Sequence, residues 1–224
     1  SIGPDPLYRT LTNFGFGEKT RLDCPGETAG VLSSPKRWTR VDTGTISFGQ
    51  GISVSALQLV TAASAIANGG NLMRPYIVAA VSDHNGRIVE RTEPHVVRTA
   101  VTPKTAGIVK RIMKTVITEG GTGVNAALEG YSVSGKTGTA QKIDDTGKYA
   151  RGKYVSSFLG FAPADEPKIV ILVVVDEPQG EHYGGIVAAP AFKKIAHETL
   201  NYLNIPPVME KDKLRVSINT EGKG

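Results

Sequence analysis

Cysteine is almost missing from this chain: Cys24 is the only one in 224 residues. No internal disulfide can form. Aromatic residues make up just 6%, so aliphatic side chains and alanine must fill the core. The four histidines, His84, His95, His182 and His197, are scattered without paired spacing, which argues against a structural zinc site. No run of about 20 apolar residues occurs, so no segment reads as spanning a bilayer. The opening residues Ser1-Ile2-Gly3-Pro4-Asp5-Pro6 lack a basic and then apolar signal pattern, and they read like a chain entered in the middle.

What is present is ordinary for a folded protein: 40% hydrophobic and 21% charged residues. The net charge of +5 comes from Lys and Arg spread along the sequence. That reads as a solvated basic surface, and no recognition-helix or zinc-finger pattern supports nucleic-acid binding.

Periodicity and turn chemistry predict a mixed α and β chain. A short helix is expected over 5–14, and the Gly-, Pro-, Ser- and Thr-rich residues 20–51 read as loop. Ser53 is expected to cap a helix running to Ala67, stopped by Asn68-Gly69-Gly70. Strands at 75–82 and 87–91 should flank a tight turn at His84-Asn85-Gly86. A helix from about Thr102 to Gly120-Gly121 should bury Ile108, Ile112, Met113 and Val116. Three strands follow, at about 131–141, 153–162 and 168–176. A last helix covers about 188–203, with Pro190 in its first turn. The tail from 206 is polar, and no repeat or clean interdomain linker is evident.

Ser134-Gly135-Lys136-Thr137-Gly138-Thr139-Ala140 carries the chemistry, and two readings fit it. Gly130 to Thr137 matches the phosphate-loop pattern Gly-x-x-x-x-Gly-Lys-Thr, and the apolar run 169–175 ends in Asp176-Glu177. A phosphate loop, however, joins a buried strand to a helix whose N-terminus holds the phosphates. Asn125 to Glu129 is no such strand, and Gly138-Thr139 is a poor first turn of a helix. The second reading is the Lys-Thr-Gly strand of serine acyl-transfer enzymes that react with penicillin. In a strand, Thr137 and Thr139 share one face while Ser134, Lys136 and Gly138 share the other. Two hydroxyls and an ammonium suit a peptide carboxylate. Gly138 admits a substrate against the backbone, and a backbone N–H just past it can serve an oxyanion.

Further segments give the chain a resemblance: Phe14-Gly15-Phe16-Gly17, Pro25-Gly26-Glu27, Ser47-Phe48-Gly49-Gln50-Gly51, Asn68-Gly69-Gly70, Ser157 to Pro163 and Tyr183-Gly184-Gly185. With the Lys136 motif, they resemble the C-terminal half of the transpeptidase domain of class B penicillin-binding proteins, most like the division-specific penicillin-binding protein 3 type. The resemblance implies an α+β fold, with an antiparallel sheet packed against helices over residues 1–205. It implies a peptidoglycan D,D-transpeptidase with no cofactor, acting on stem peptides, trapped by β-lactams, and working with division or elongation proteins at the periplasmic face of the inner membrane. Any membrane anchor would lie in a segment outside this chain.

By the same resemblance, Lys136 assists catalysis, Thr137, Gly138 and Thr139 bind the substrate, with Thr137 and Thr139 holding its carboxylate, and the Thr139 N–H forms half of an oxyanion hole. Tyr183, Gly184 and Gly185 either line the groove or form a plain turn. His182 reads as a surface histidine and Trp38 as a packing anchor for the long loop. The family's first two motifs are not convincingly present. Ser33-Ser34-Pro35-Lys36 has the letters of the first but lies in a loop, and Ser217-Ile218-Asn219 follows the third motif instead of preceding it. The nucleophile is therefore expected upstream, this chain alone is expected to be inactive, and apolar sheet and helix surface is expected to be exposed. Alternatives are a non-catalytic drug sensor or scaffold, a β-lactam hydrolase and, distantly, the NTPase.

Overall fold

The computed structural model describes residues 3–207, and Ser217-Ile218-Asn219 lies outside them. The described chain forms two compact units that divide between Val109 and Lys110.

In the first unit, α1 (Pro4–Asn13) starts with prolines in its first turn, where a missing N–H costs nothing. The expected loop over 20–51 instead contains a helix, α2 (Arg40–Ser47). Thr39 and Asp42 close its N-terminus reciprocally, each side chain taking the other's backbone N–H. That capping box outweighs the weak helix formers Thr43, Gly44 and Thr45 that made the segment read as loop. The next helix, α3 (Ala56–Ala67), is capped by Ser55 with Gln58. Ser53 is not the cap, because its backbone pairs with Val31.

β1 (Asn71–Met73) pairs with β4 (Val96–Thr99), and β2 (Ala80–Ser82) with β3 (Ile88–Arg91), all antiparallel. The β1–β4 pair was not anticipated, and residues 75–79 are not strand. The turn at Asp83–Gly86 is as expected: Asp83 Oδ1 accepts the N–H groups of Asn85 and Arg87. Trp38 anchors the loop, its indole donating to Ser33 while its ring meets Tyr8 edge-on at 5.9 Å.

α4 (Pro103–Thr115) contains the dividing point and stops short of Gly120-Gly121. Its fully buried residue is Ala106, whereas Ile108 and Ile112 are 41% and 61% exposed. The expected buried face is therefore not the one the structure buries: Ala106 lies on the other side of the helix from Ile108 and Ile112, and Val116 lies beyond the helix end.

The second unit is built on β5 (Ser134–Ile143), β6 (Tyr149–Ala162) and β7 (Ile169–Asp176), an antiparallel sheet in the order β5-β6-β7. Asp144 Oδ1 ties the β5–β6 turn by accepting from Thr146 N and Lys148 N. A short α5 (Gly184–Val187) leads into α6 (Ala189–Tyr202). Helix α6 packs on the sheet through Ala189, Phe192, Ala196 and Leu200, all fully buried. A methyl group on Gly160 would lie 2.9 Å from the Phe192 ring and 3.0 Å from Phe158, so only a bare backbone lets these rings meet at 4.7 Å. The expected exposed apolar surface is there: Val174 and Ile195 are each 47% exposed and Tyr202 is 84% exposed. Among the described residues no helix is long and apolar enough to cross a membrane.

Phe192→Ala should cost about 3–5 kcal/mol and Gly160→Ala about 1–3 kcal/mol. Native-state hydrogen exchange of the β6 amides measures both; unchanged protection would refute this account of the packing.

Candidate active-site strand

Lys136, Thr137, Gly138 and Thr139 lie mid-strand in β5, paired in register with Leu159, Phe158, Ser157 and Ser156 of β6. The backbone there is extended, and no helix begins at Lys136. Amides wrapped around a phosphate require the opposite geometry, so the phosphate-loop reading fails on local structure. Asp176 and Glu177 accept from Lys142 instead, at 3.1 and 2.8 Å. Among the described residues no cluster of three or more His, Cys, Asp or Glu could hold a metal ion.

Paired residues of antiparallel strands share a face, so Thr137 and Thr139 lie on the face that carries Phe158 and Ser156. The loop into α5 covers part of that face. Gly184 N donates to Thr139 Oγ1 at 3.1 Å. A Cβ at Gly184 would fall 2.4 Å from the carbonyl oxygen of Gly138 and closer still to that of Ser157; no larger residue fits there. Asn125 Nδ2 donates to Gly185 O at 2.9 Å, and Ser156 Oγ donates to His182 O. Gly184 and Gly185 therefore lie against Thr137, Gly138 and Thr139, whereas Tyr183 stacks on His182. Both glycines are buried and Tyr183 is exposed.

The hydroxyls are not idle. Thr137 Oγ1 lies 2.9 Å from Thr122 Oγ1. Because Thr139 Oγ1 accepts from Gly184, its own O–H remains to donate outward. Lys136 Nζ, on the opposite face, donates to Thr137 O at 2.7 Å. Strand β5 is an edge strand among the described residues, so half of its backbone groups point away from β6. A carboxylate beside this edge would meet hydroxyl donors and a nearby ammonium, the charge-assisted combination that binds such groups well.

Sequence reasoning did not find Thr122, Asn125 or Ser156. Gly120-Gly121 was read only as a helix stop, and nothing local signals the contact of the next residue, Thr122, with Thr137. His182 departs from a plain surface histidine: it is half-buried, stacked on Tyr154 at 4.1 Å and on Tyr183 at 4.5 Å. Hydrogen bonds from Lys142 hold the Glu177 carboxyl below its ordinary 4.5. In turn Glu177, then Asp176, lift the Lys142 ammonium above 10.5. This group ties the end of β5 to the end of β7.

Three comparisons bear on this geometry. The sequence matches the family described as the penicillin binding protein transpeptidase domain over residues 1–197. It is 41% identical over 208 residues to the stage V sporulation protein D of Bacillus subtilis, covering 92% of this chain and 32% of that protein. It is 36% identical over 222 residues to the peptidoglycan D,D-transpeptidase FtsI of Escherichia coli, covering 97% and 35% respectively. The solved structure of penicillin-binding protein 3 from Mycobacterium tuberculosis, complexed with ampicillin, superposes with a TM-score of 0.84 at 32% identity, covering 93% of this chain and 48% of that one. The chain thus spans about a third of the length of these curated relatives.

Thr139→Val should strip the Gly184 N–H of its acceptor, at about 1–3 kcal/mol, and speed exchange of that amide, whereas Thr139→Ser should not; equal rates in both variants would refute the contact. The Lys142 pair stabilises the fold above about pH 4.5, where Glu177 is ionised, and loses this as pH falls through the lowered folded value. It also stabilises below about pH 10.5 and loses this as pH rises through the raised value of Lys142. Lys142→Met should flatten both limbs of a melting-temperature profile at low salt, by a small amount because the pair is partly exposed.

Proposed function

This chain belongs to the penicillin-binding protein transpeptidase family, in its class B branch, and from that membership we propose that it supplies the substrate-binding strand of a peptidoglycan D,D-transpeptidase. One observation carries the reading: Lys136 to Thr139 form an extended edge strand with Gly184-Gly185 packed on it and a Thr139 O–H left to donate.

In the proposed reaction a serine Oγ attacks the carbonyl carbon of a D-Ala-D-Ala bond. The C–N bond breaks, D-alanine leaves as the protonated amine, and a serine ester remains. An amine of a neighbouring stem peptide then attacks the ester, forming the cross-link and returning the proton to the serine. Thr137 and Thr139 hold the terminal carboxylate and Gly138 lets it approach. The Thr139 N–H stabilises the oxyanion, and Lys136 supports proton movement. Tyr183 borders the groove, and Gly184 and Gly185 set its wall. A β-lactam would likewise acylate the serine: its ring C–N bond breaks, the nitrogen takes up the serine proton, and that amine stays tethered to the resulting ester.

Ser33 is not assigned as the nucleophile. Its hydroxyl accepts the Trp38 indole N–H, and what directly follows is the short 3-10 turn Pro35–Arg37, which buries no residue. The nucleophile is assigned to sequence outside residues 1–224, within a protein that works at the periplasmic face of the inner membrane with division or elongation proteins.

Fluorescent penicillin tests this. Residues 1–224 alone should take no covalent label, and an adduct at Ser33 would overturn the assignment. In the longer protein Lys136→Ala should slow acylation by about 100-fold or more and Thr139→Val by about tenfold. Drug binding without acylation would favour a sensor or scaffold, and rapid drug turnover a β-lactam hydrolase.

A further inference from the structure

A cleft of about 210 Å³ opens in the first unit between the segment Phe14–Arg21, β1 and β4. Its residues all precede Val109 and include none of the Lys136 motif. The floor is firm. Gln58, 1% exposed, donates from Nε2 to the carbonyls of Glu18 and Ala29 at 2.8 and 2.9 Å, while its Oε1 accepts from Ser55 N. That one side chain fastens the cleft's outer segment to α3, so the cavity is built before any ligand arrives, which lowers the ordering cost of binding.

The lining has two characters. Phe14, Leu72, Met73 and Val97 give it an apolar wall. Lys19, Arg21, Arg74 and Arg98 bring four cations, against the single carboxylate of Glu18. Glu18 is already held by Arg98 at 2.9 Å, and Arg98 Nε also donates to Asn13 O. Lys19, Arg21 and Arg74 form no ion pair within 4 Å among the described residues. Arg74 is oriented by Nε donating to Arg21 O at 3.1 Å, which leaves the outer nitrogens of its guanidinium for another acceptor. Two further carboxylates lie close by: Asp23 accepts the N–H groups of Ile77 and Val78 at 2.7 and 2.8 Å and feels the charge of Arg74, and Glu27 accepts the N–H groups of Thr20 and Arg21 and feels that of Lys19. The lining thus carries more cations than carboxylates, and such an excess along one cleft favours an anion.

We propose that this cleft binds a small amphiphilic organic anion, a carboxylate or phosphate head on an apolar body, with the head on Arg21 and Arg74 and the body against Leu72 and Met73. Mixed apolar walls with a few convergent charges are the usual make-up of small-molecule sites. The proposal does not depend on the transpeptidase reading, since the two sites share no residue.

The chain contains three methionines, and of these Met73 lines the cleft. Residues 1–224 labelled with ¹³C at the methionine methyls, with Met73 assigned through Met73→Leu, are titrated with phenyl phosphate and, separately, phenylacetate. At least one should shift the Met73 signal saturably while leaving Met113 in place, and whichever does so identifies the head group. Arg21→Gln with Arg74→Gln should weaken that binding about tenfold or more, and added salt should weaken it further. Lys19→Gln, at an exposed position, keeps the test open if the double variant fails to fold. It should weaken binding about twofold to threefold. An unmoved Met73 signal with both probes, equal shifts from benzyl alcohol, or affinity unchanged in every variant would overturn the proposal. Inorganic phosphate binding as tightly as phenyl phosphate would overturn the apolar half of it.

Discussion

The contact between Phe158 and Phe192 governs the second unit. Two rings at 4.7 Å can meet there only because the strand backbone beside them is bare at Gly160. The contact seats α6 on the sheet and brings along everything that precedes α6 in the chain. Since α5 and the Tyr183-Gly184-Gly185 segment run directly into that helix, the depth of Phe192 also sets how closely Gly184 lies on β5. Packing and site geometry are thus one constraint here: a side chain in the core positions a backbone N–H at Thr139.

Around the Lys136 motif, polar groups are arranged to be half-used. Thr139 accepts one hydrogen bond and keeps its proton for another partner; Thr137 and Thr122 share one between them. Asn125 and Ser156 fix the backbone opposite, at Gly185 and His182. This pre-orders donors along an open strand edge, the condition under which an incoming carboxylate is bound without rearranging the protein. The ion group of Lys142, Asp176 and Glu177 and the stack of Tyr154, His182 and Tyr183 bracket the loop that carries the glycines.

Much of this was legible from residue order. Alternation placed Thr137 and Thr139 on one face, and the β5–β6–β7 meander followed from apolar runs separated by Asp-, Gly- and Pro-rich turns. Capping boxes were harder to see. Thr39-x-x-Asp42 and Ser55-x-x-Gln58 are short patterns, and the Gly- and Ser-rich surroundings masked the first entirely. The β1–β4 pair was invisible because its strands are only a few residues long and about 25 residues apart, so no turn signal connects them. On α4, the row of Ile108 and Ile112 looked like a buried face and is exposed. A period of 3.6 reports which side chains share a face, not what lies against it.

By itself the sequence determined the local choices: an extended conformation at Lys136 to Thr139, the stop of α3 at Asn68-Gly69-Gly70, the absence of disulfides, and the family to which the chain belongs. Short-range sterics and hydrogen bonding set these, and they act between near neighbours. Only the tertiary structure decided that Thr122, Asn125, Ser156 and Gly184 meet at one strand edge, and that Gln58 secures a cationic cleft between segments dozens of residues apart. Those meetings depend on how helices and sheets pack, and the energy of packing belongs to pairs of surfaces that no stretch of sequence contains alone.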